Sequence, residues 1–144
     1  MASPGHLMTR FFSAAHRGLF RATRGRMGGS MRGAPILLLT TTGRRSGKLR
    51  TSPLIYVRDG DDYVIAASNA GRDFNPRWYD NLLANPDARV HLGRERTAVH
   101  AETVPDGPDR QRLGDALVAL FADYAVYQIR TRRPIPLVRL RPRR

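Results

Sequence analysis

Between Leu7 and Arg26 the apolar residues Phe11, Phe12, Ala15, Leu19 and Phe20 fall at helical spacings, with Arg10, Arg17, Arg21 and Arg24 between them. That pattern predicts a basic amphipathic helix, which either packs on the rest of the chain or lies on an anionic lipid surface. Gly25, Gly28, Gly29 and Gly33, in GRMGGSMRGAP, predict a flexible linker behind it. From Pro35 the pattern changes to that of strands. Ile36 to Thr42 is rich in apolar and β-branched residues, Leu54 to Val57 follows, and Asp59-Gly60 predicts a hairpin turn into Tyr63 to Ala67. Ala88 to Leu92 and Arg96 to Val104 flank Gly93 as a second hairpin, and Ile135 to Leu140 makes a last strand.

Two helices interrupt the strands. Asn75 and Pro76 supply an N-cap and a first-turn proline, and the helix runs through Trp78, Tyr79, Leu82 and Leu83 until Asn85-Pro86 stops it. The second begins near Pro108 and carries Leu113, Leu117, Leu120, Phe121 and Tyr124 as a core stripe; Tyr124 and Tyr127 share a face near its end, where they can line a pocket. About six short, mostly antiparallel strands with flanking helices predict an α+β fold built on a small barrel or curved sheet, in preference to a doubly wound parallel sheet. The expected organisation is an N-terminal helix and linker over residues 1–34 and a barrel domain over residues 35–144.

The chain has 144 residues, of which 41% are hydrophobic, enough for one folded domain with a modest core. It has no cysteine, which excludes disulfides, thiolate metal sites, Fe–S clusters and a cysteine nucleophile. No apolar run approaches the ~20 residues that span a bilayer, and the N-terminus lacks a signal-peptide core, so a cytoplasmic protein is expected. The net charge of +13 is uneven: no Asp or Glu precedes Asp59, and ten of the 25 Lys/Arg lie in the first 50 residues. That asymmetry points to a polyanion or an anionic membrane surface as partner.

The densest cation group is TTTGRRSGKLRTSPL, Thr40 to Leu54, with Arg44, Arg45, Lys48 and Arg50 on one turn. It is not a phosphate-binding P-loop: three residues separate Gly43 from Gly47, and Leu49 follows the lysine where Mg²⁺ chemistry needs Ser or Thr. His6, His16, His91 and His100 have no metal-ligand spacing, and no metal is expected. Ser68 lacks the glycines of a nucleophile elbow and Ser46 sits among cations, so hydrolysis is not indicated. A nucleic-acid-binding barrel competes, with Tyr56 and Tyr63 on strands, but Trp78, Tyr79, Tyr124 and Tyr127 are on helices and the cations cluster on a turn. One localised anion suits that cluster better than a tracked backbone.

Taken in order, PILLLTTTGRRSGKLRTSPLIYVRDGDDYVIAASNAGRDFNPRWYDNLLANPDARV, the tyrosine pair, and RTRRPIPLVRL resemble the deazaflavin (F420)-dependent nitroreductase family, and within it the F420H2-dependent quinone reductases. The shared set is TTTGR-SGK-R, AASN-G, P-WY-NL-ANP and IP-V-L, spanning Pro35 to Leu140. The resemblance implies a split β-barrel related to the FMN-binding pyridoxamine oxidases, with coenzyme F420 ahead of FMN as cofactor. It implies that the phosphate and polyglutamate arm meets Arg44, Arg45, Ser46, Gly47, Lys48, Leu49 and Arg50, continuing along Thr51, Ser52 and Pro53. Ile65, Ala66, Ala67, Ser68 and Asn69 would meet the deazaflavin ring, and Arg77, Trp78 and Asn81 would close over it. Ser68, Tyr124 and Tyr127 would line the acceptor side as the catalytic group.

The implied reaction moves a hydride from reduced deazaflavin to a quinone, a nitroaromatic or a similar electron-poor acceptor. The implied place is the cytoplasm, with peripheral contact at the inner face of the cell membrane through the basic helix. The alternatives are an F420 carrier without turnover and a nucleic-acid-binding barrel. Phe121 stands where some members carry another tyrosine, and Leu49 where proline is frequent.

Overall fold

A computed structural model describes residues 30, 31 and 33–143. The apolar run Ile36-Leu37-Leu38-Leu39 is buried on both faces, as a strand with neighbours on either side and core above and below requires. It forms β2 (Ala34–Thr42), flanked by β3 (Leu49–Ile55) and β6 (Asp87–Leu92). The remaining strands are β1 (Ser30–Met31), β4 (Val57–Asp59), β5 (Asp62–Ala66), β7 (Glu95–Thr103) and β8 (Leu137–Pro142). All pairings are antiparallel, in the order β1-β2-β6-β7-β8-β5-β4, with β3 on β2. Because β3 and β4 are one chain segment bent at Tyr56, the sheet returns to β2 through that bend and curls into a barrel. Tyr56 N–H keeps the join by donating to the Pro35 carbonyl at 3.3 Å.

Strand alternation sorts the side chains into an inner and an outer layer. Leu37, Leu39, Tyr63, Ile65, Val90, Val99 and Leu140 fill the inside, and helix α1 (Arg77–Ala84) adds Trp78, Tyr79 and Leu82 to the same cluster. Val64, Ala66 and Leu137 face outward against α2 (Pro108–Leu120), whose Leu113 and Leu117 are 1% exposed. Each such leucine contributes about 1.5–3 kcal/mol by leaving water. Ala34, Ile36 and Ile55 meet Phe121 in a third cluster, on which Tyr124 and Tyr127 of α3 (Asp123–Arg130) pack. Away from these, Arg139 bonds Asp59 and Asp62 at 2.8 and 3.0 Å while Arg112 of α2 grips Asp59 through both nitrogens at 3.1 Å. These bonds, Arg112 first, hold the Asp59 carboxyl down to about 2.

The fold agrees with the α+β barrel expected from sequence and corrects several details. The stripe read as one helix from Pro108 is two: α2 stops at Leu120, and Phe121 is extended at φ −144°. A continuous helix would keep Phe121 on the Leu113–Leu117 face; the break sends it to the Ile36–Ile55 cluster and leaves Leu120 40% exposed, outside the core. Pro76, not Asn75, occupies the cap of α1, with no side-chain cap bond, because Asn75 Oδ1 accepts from Arg133 Nη1 at 2.8 Å. The strand expected at Leu54 begins at Leu49, and the one expected to start at Ile135 starts at Leu137. Gly33, expected in a linker, closes a hairpin between β1 and β2, with Met31 opposite Ala34. The basic helix expected between Leu7 and Arg26 lies outside the described residues. Among the described residues no helix is long and apolar enough to cross a membrane.

Candidate functional site

The turn after β2 is a built loop. Gly43 N–H donates to Lys48 O at 2.7 Å, Gly47 N–H to Gly43 O at 2.9 Å, and Lys48 N–H to Ser46 Oγ at 3.1 Å. Gly47 is needed for its backbone, at φ +71° with open space around it. From α1, Asn81 reaches in: its Oδ1 accepts from Arg44 N–H at 3.0 Å, and its Nδ2 donates to Thr41 Oγ1 at 3.2 Å. Asn81 and Thr41 are 6% and 1% exposed, so the pin is buried. The side chains it presents are not: Arg44, Arg45, Ser46, Lys48, Leu49 and Arg50 are all exposed. Among the described residues no ion pair involves Arg44, Arg45, Lys48 or Arg50, while carboxylates elsewhere pair with Arg110, Arg112, Arg139, Arg141 and Arg143. Four unclaimed cations on a fixed turn fit a multiply charged anion.

Beyond the turn, β3 carries Thr51, whose hydroxyl shares a 2.9 Å hydrogen bond with Thr40, and half-buried Ser52. Pro53 is buried opposite Leu38; a proline is tolerated there because β3 pairs with β2 alone and its other edge needs no donor. The strand end expected at the ring is closed off behind by one residue the sequence reading did not single out. Arg133 donates from Nη2 to Ala67 O and Ser68 O at 3.3 and 2.9 Å, and from Nε to Arg72 O at 2.8 Å. Nothing in RTRR distinguishes this arginine from its exposed neighbour Arg132, so no sequence signal was available.

Within that clamp Asn69 and Ala70 sit at φ +49° and +56°, a left-handed pair of non-glycine residues that stores strain. Gly71 follows at φ +78°, and a Cβ there would lie 2.9 Å from Tyr127 Cα. The turn after β5 is thereby pressed against α3. The α3 rings pack edge to face, Tyr124 and Tyr127 at 6.1 Å and Phe121 at 5.2 Å from Tyr124. Burial, then the neighbouring Tyr127, pushes the Tyr124 phenol well above its usual range, so it stays a neutral O–H donor.

The expected residues thus divide. The cationic turn and Asn81 form one connected unit, and Ser68, Asn69 and the α3 tyrosines come together through Gly71. Ile65, Ala67 and Trp78 give their side chains to the barrel core and Ala66 to the outer layer, while Arg77 is exposed beside the site. A cavity of about 520 Å³ opens elsewhere, lined by Asp59, Glu102, Asp109, Arg139 and Arg141 among others. Its two arginines are both paired with carboxylates, Arg139 with Asp59 and Asp109 and Arg141 with Glu102, which leaves them spent on the fold.

A sequence model of the F420H(2)-dependent quinone reductases matches residues 13–142. An F420H(2)-dependent quinone reductase of Mycobacterium tuberculosis is 46% identical over 126 residues, 85% of each chain. The solved structure of an F420-H2 dependent reductase superposes with a TM-score of 0.68 at 36% identity, covering 74% of this chain and 93% of that one. A second solved structure, described only as a domain-swapped dimer, gives a TM-score of 0.70 at 32% identity, covering 88% of this chain and 96% of that one. More distant barrels, among them a pyridoxamine-oxidase-like chain, share the fold alone. The protein is an oxidoreductase of the F420H(2)-dependent quinone reductase family, built on a split barrel, with coenzyme F420 as its cofactor.

Proposed function

We propose that the chain passes a hydride from reduced F420 to a quinone-like acceptor, with nitroaromatics and related electron-poor molecules as the wider acceptor class. The observation that carries this reading is the pinned turn with Arg44, Arg45 and Lys48, and Arg50 at the start of β3, four exposed cations with no ion pair among the described residues. When bound, the reduced deazaflavin supplies the hydride at C5, so the protein has only to fix distance and face of approach. The four cations hold the phosphate and carboxylates of the cofactor's arm, and the Ser46, Gly47 and Leu49 backbone shapes their turn. Thr51, Ser52 and Pro53 continue the contact along β3, and the chain from Ile65 to Asn69 borders the ring beside Arg77 and Trp78. Asn81 acts from behind, through Arg44. Ser68, Tyr124 and Tyr127 border the acceptor, where a hydroxyl donates to the oxygen that gains charge.

The test is Arg45→Ala with Lys48→Ala, titrated with F420 by cofactor fluorescence. Exposed cations are worth roughly 0.5–1 kcal/mol each, so the double variant should bind F420 about 5- to 30-fold more weakly, with a shallower salt dependence and an unchanged Tm. Unaltered affinity would remove the cation assignment. Dissociation constants for F420 and FMN side by side test the cofactor preference. Flotation with anionic liposomes, with and without residues 1–30, tests whether the basic N-terminal stretch brings the enzyme to a membrane.

A further inference from the structure

The loop from Ala67 to Asn75 is tied down by several side-chain hydrogen bonds. Thr131 Oγ1 donates to Asp73 at 3.0 Å, Asn69 Nδ2 to Phe74 O at 3.1 Å, and Arg133 takes the carbonyls of Ala67, Ser68 and Arg72. Arg72 is held at one corner only. Its Nη1 donates to Asn69 Oδ1 at 3.3 Å, but Nε and Nη2 are the buried side-chain donors without a partner among the described residues. A guanidinium remains charged even where burial disfavours it, as it does here. A buried charge with two idle donors is costly to keep, and such a group calls for an explanation outside the fold itself.

The idle atoms share one edge. Nε–H and the adjacent Nη2–H point the same way and form the fork that grips one anion through two hydrogen bonds. Asn69 occupies the opposite corner and leaves the fork free. Its position is fixed by its neighbour: Gly71 N–H donates to Ser68 O at 2.9 Å, and Gly71 Cα lies against the Tyr127 backbone. Through Asn69 the fork is joined to the end of the Ile65–Asn69 segment expected at the ring, whereas the cationic turn is tied to α1 through Asn81.

We propose that Arg72 holds the negative charge acquired by the acceptor; the inference rests on the hydride-transfer reading above. A quinone that accepts a hydride has gained two electrons and one proton and become the hydroquinone monoanion. The cofactor, having lost a hydride, releases one proton on returning to its oxidised form, and a proton arriving through water completes the hydroquinone. Until then the oxyanion needs fixed donors, and the Arg72 fork supplies two with full charge. The same edge matches the paired oxygens of a nitro group. The fork is covered, so on this proposal the acceptor engages it by displacing part of the Asn69–Arg72 turn.

The experiment compares Arg72→Met and Arg72→Lys with the parent chain. Readouts are unliganded Tm, the F420 dissociation constant, calorimetric binding of an anionic hydroxynaphthoquinone to the F420-loaded protein, and menadione reduction at saturating F420H2. The proposal expects Arg72→Met to leave Tm unchanged or higher and F420 affinity within about 2-fold. It expects the anion affinity and kcat/KM both to fall about 10- to 100-fold, with part restored by Arg72→Lys. Weaker F420 binding with unchanged anion affinity would give the fork to the cofactor and overturn the proposal. So would a Tm lowered by ~5 °C or more, which would mean a partner within the fold, or no change in anion affinity and kcat/KM. A parent chain that does not bind F420 would take down the cofactor reading and this inference together; loss confined to the Arg72 readouts would touch this one alone.

Discussion

Asn81 is the residue whose removal best tests how the site is held. It is 6% exposed and spends its amide on two elements, accepting from Arg44 N–H at 3.0 Å and donating to Thr41 Oγ1 at 3.2 Å. Asn81→Ala deletes both bonds. At about 0.5–1.5 kcal/mol each, the loss is about 1–3 kcal/mol, with Thr41 left 1% exposed and short of a partner. For a chain of this size that lowers Tm by roughly 4–10 °C. The turn does not open fully, because its Gly43–Lys48 and Gly47–Gly43 bonds at 2.7 and 2.9 Å remain. It loses its anchor, and re-ordering it on binding costs about 1 kcal/mol, or 5-fold in F420 affinity. Thr41→Val is the control: it removes the barrel end of the pin and keeps the Arg44 end. It should lower Tm with little effect on F420, and the double variant should lose less stability than the two singles added together. Differential scanning fluorimetry and F420 fluorescence titration supply both readouts. Unchanged Tm in Asn81→Ala, or equal loss of F420 affinity in Thr41→Val, would refute the pin.

Gly71→Ala and Gly47→Ala separate backbone strain from crowding. Both glycines are left-handed, at φ +78° and +71°, but a Cβ at Gly71 would meet Tyr127 O and Cα at 2.8 and 2.9 Å whereas none of its neighbours crowds Gly47. Gly47→Ala should cost about 1 kcal/mol and Gly71→Ala at least about 3, as chemical denaturation would report, and the displaced α3 should raise acceptor KM in the second variant alone. Acid titration tests the Asp59 cluster. With its folded pKa drawn from 3.8 to about 2 by Arg112 and Arg139, Asp59 contributes stability that is complete above about pH 4 and lost as pH falls toward 2. Asp59→Asn should remove about 1–2 kcal/mol at pH 7, allowing for its partial exposure, and flatten the Tm-against-pH curve below pH 4. A parallel curve would show that the cluster does not stabilise the fold.

What the sequence disclosed follows the strength of the local signals. The run Ile36 to Thr42 was legible as a strand, and the hairpin around Gly93 lies at the expected place, with Leu92 opposite Glu95. The start of β3 was not legible: Leu49, Arg50, Thr51 and Ser52 lack apolar alternation, because this half of the strand is exposed or half-buried beside the cationic turn. The helix break at Phe121 was hidden for the opposite reason. Leu113, Leu117, Phe121 and Tyr124 satisfy a helical period whether or not the helix continues, and the pull of Ile36 and Ile55 on Phe121 is tertiary. The cations of the site and Asn81 could be named from the family resemblance, but not what Asn81 does there, nor the parts played by Thr41 and Arg133. Asn81, Thr41 and Arg133 act through contacts 37 to 66 residues away, so their partners are not legible in any local pattern.

The uneven distribution of acids acquires a physical reason once the ion pairs are placed. Past Asp59, arginines and carboxylates alternate in the fold: Arg139 with Asp59 and Asp62, Arg141 with Glu102, Arg143 with Asp87 and Arg110 with Asp106. There the same side chain that could bind an anionic ligand is spent on cross-links between strands and helices. Before Asp59 no carboxylate exists to spend Arg44, Arg45, Lys48 or Arg50 on. A single Asp or Glu near that turn would have paired with one of them and offered an anionic ligand a screened, part-neutralised surface. Cations that repel one another are tolerable on a loop only if its backbone is held by something other than charge. Here that support is neutral: the glycine turn, the Ser46 hydroxyl and the Asn81 amide, none of which competes with an anion for the guanidinium groups. Holding the turn with neutral hydrogen bonds leaves its whole charge available to the ligand.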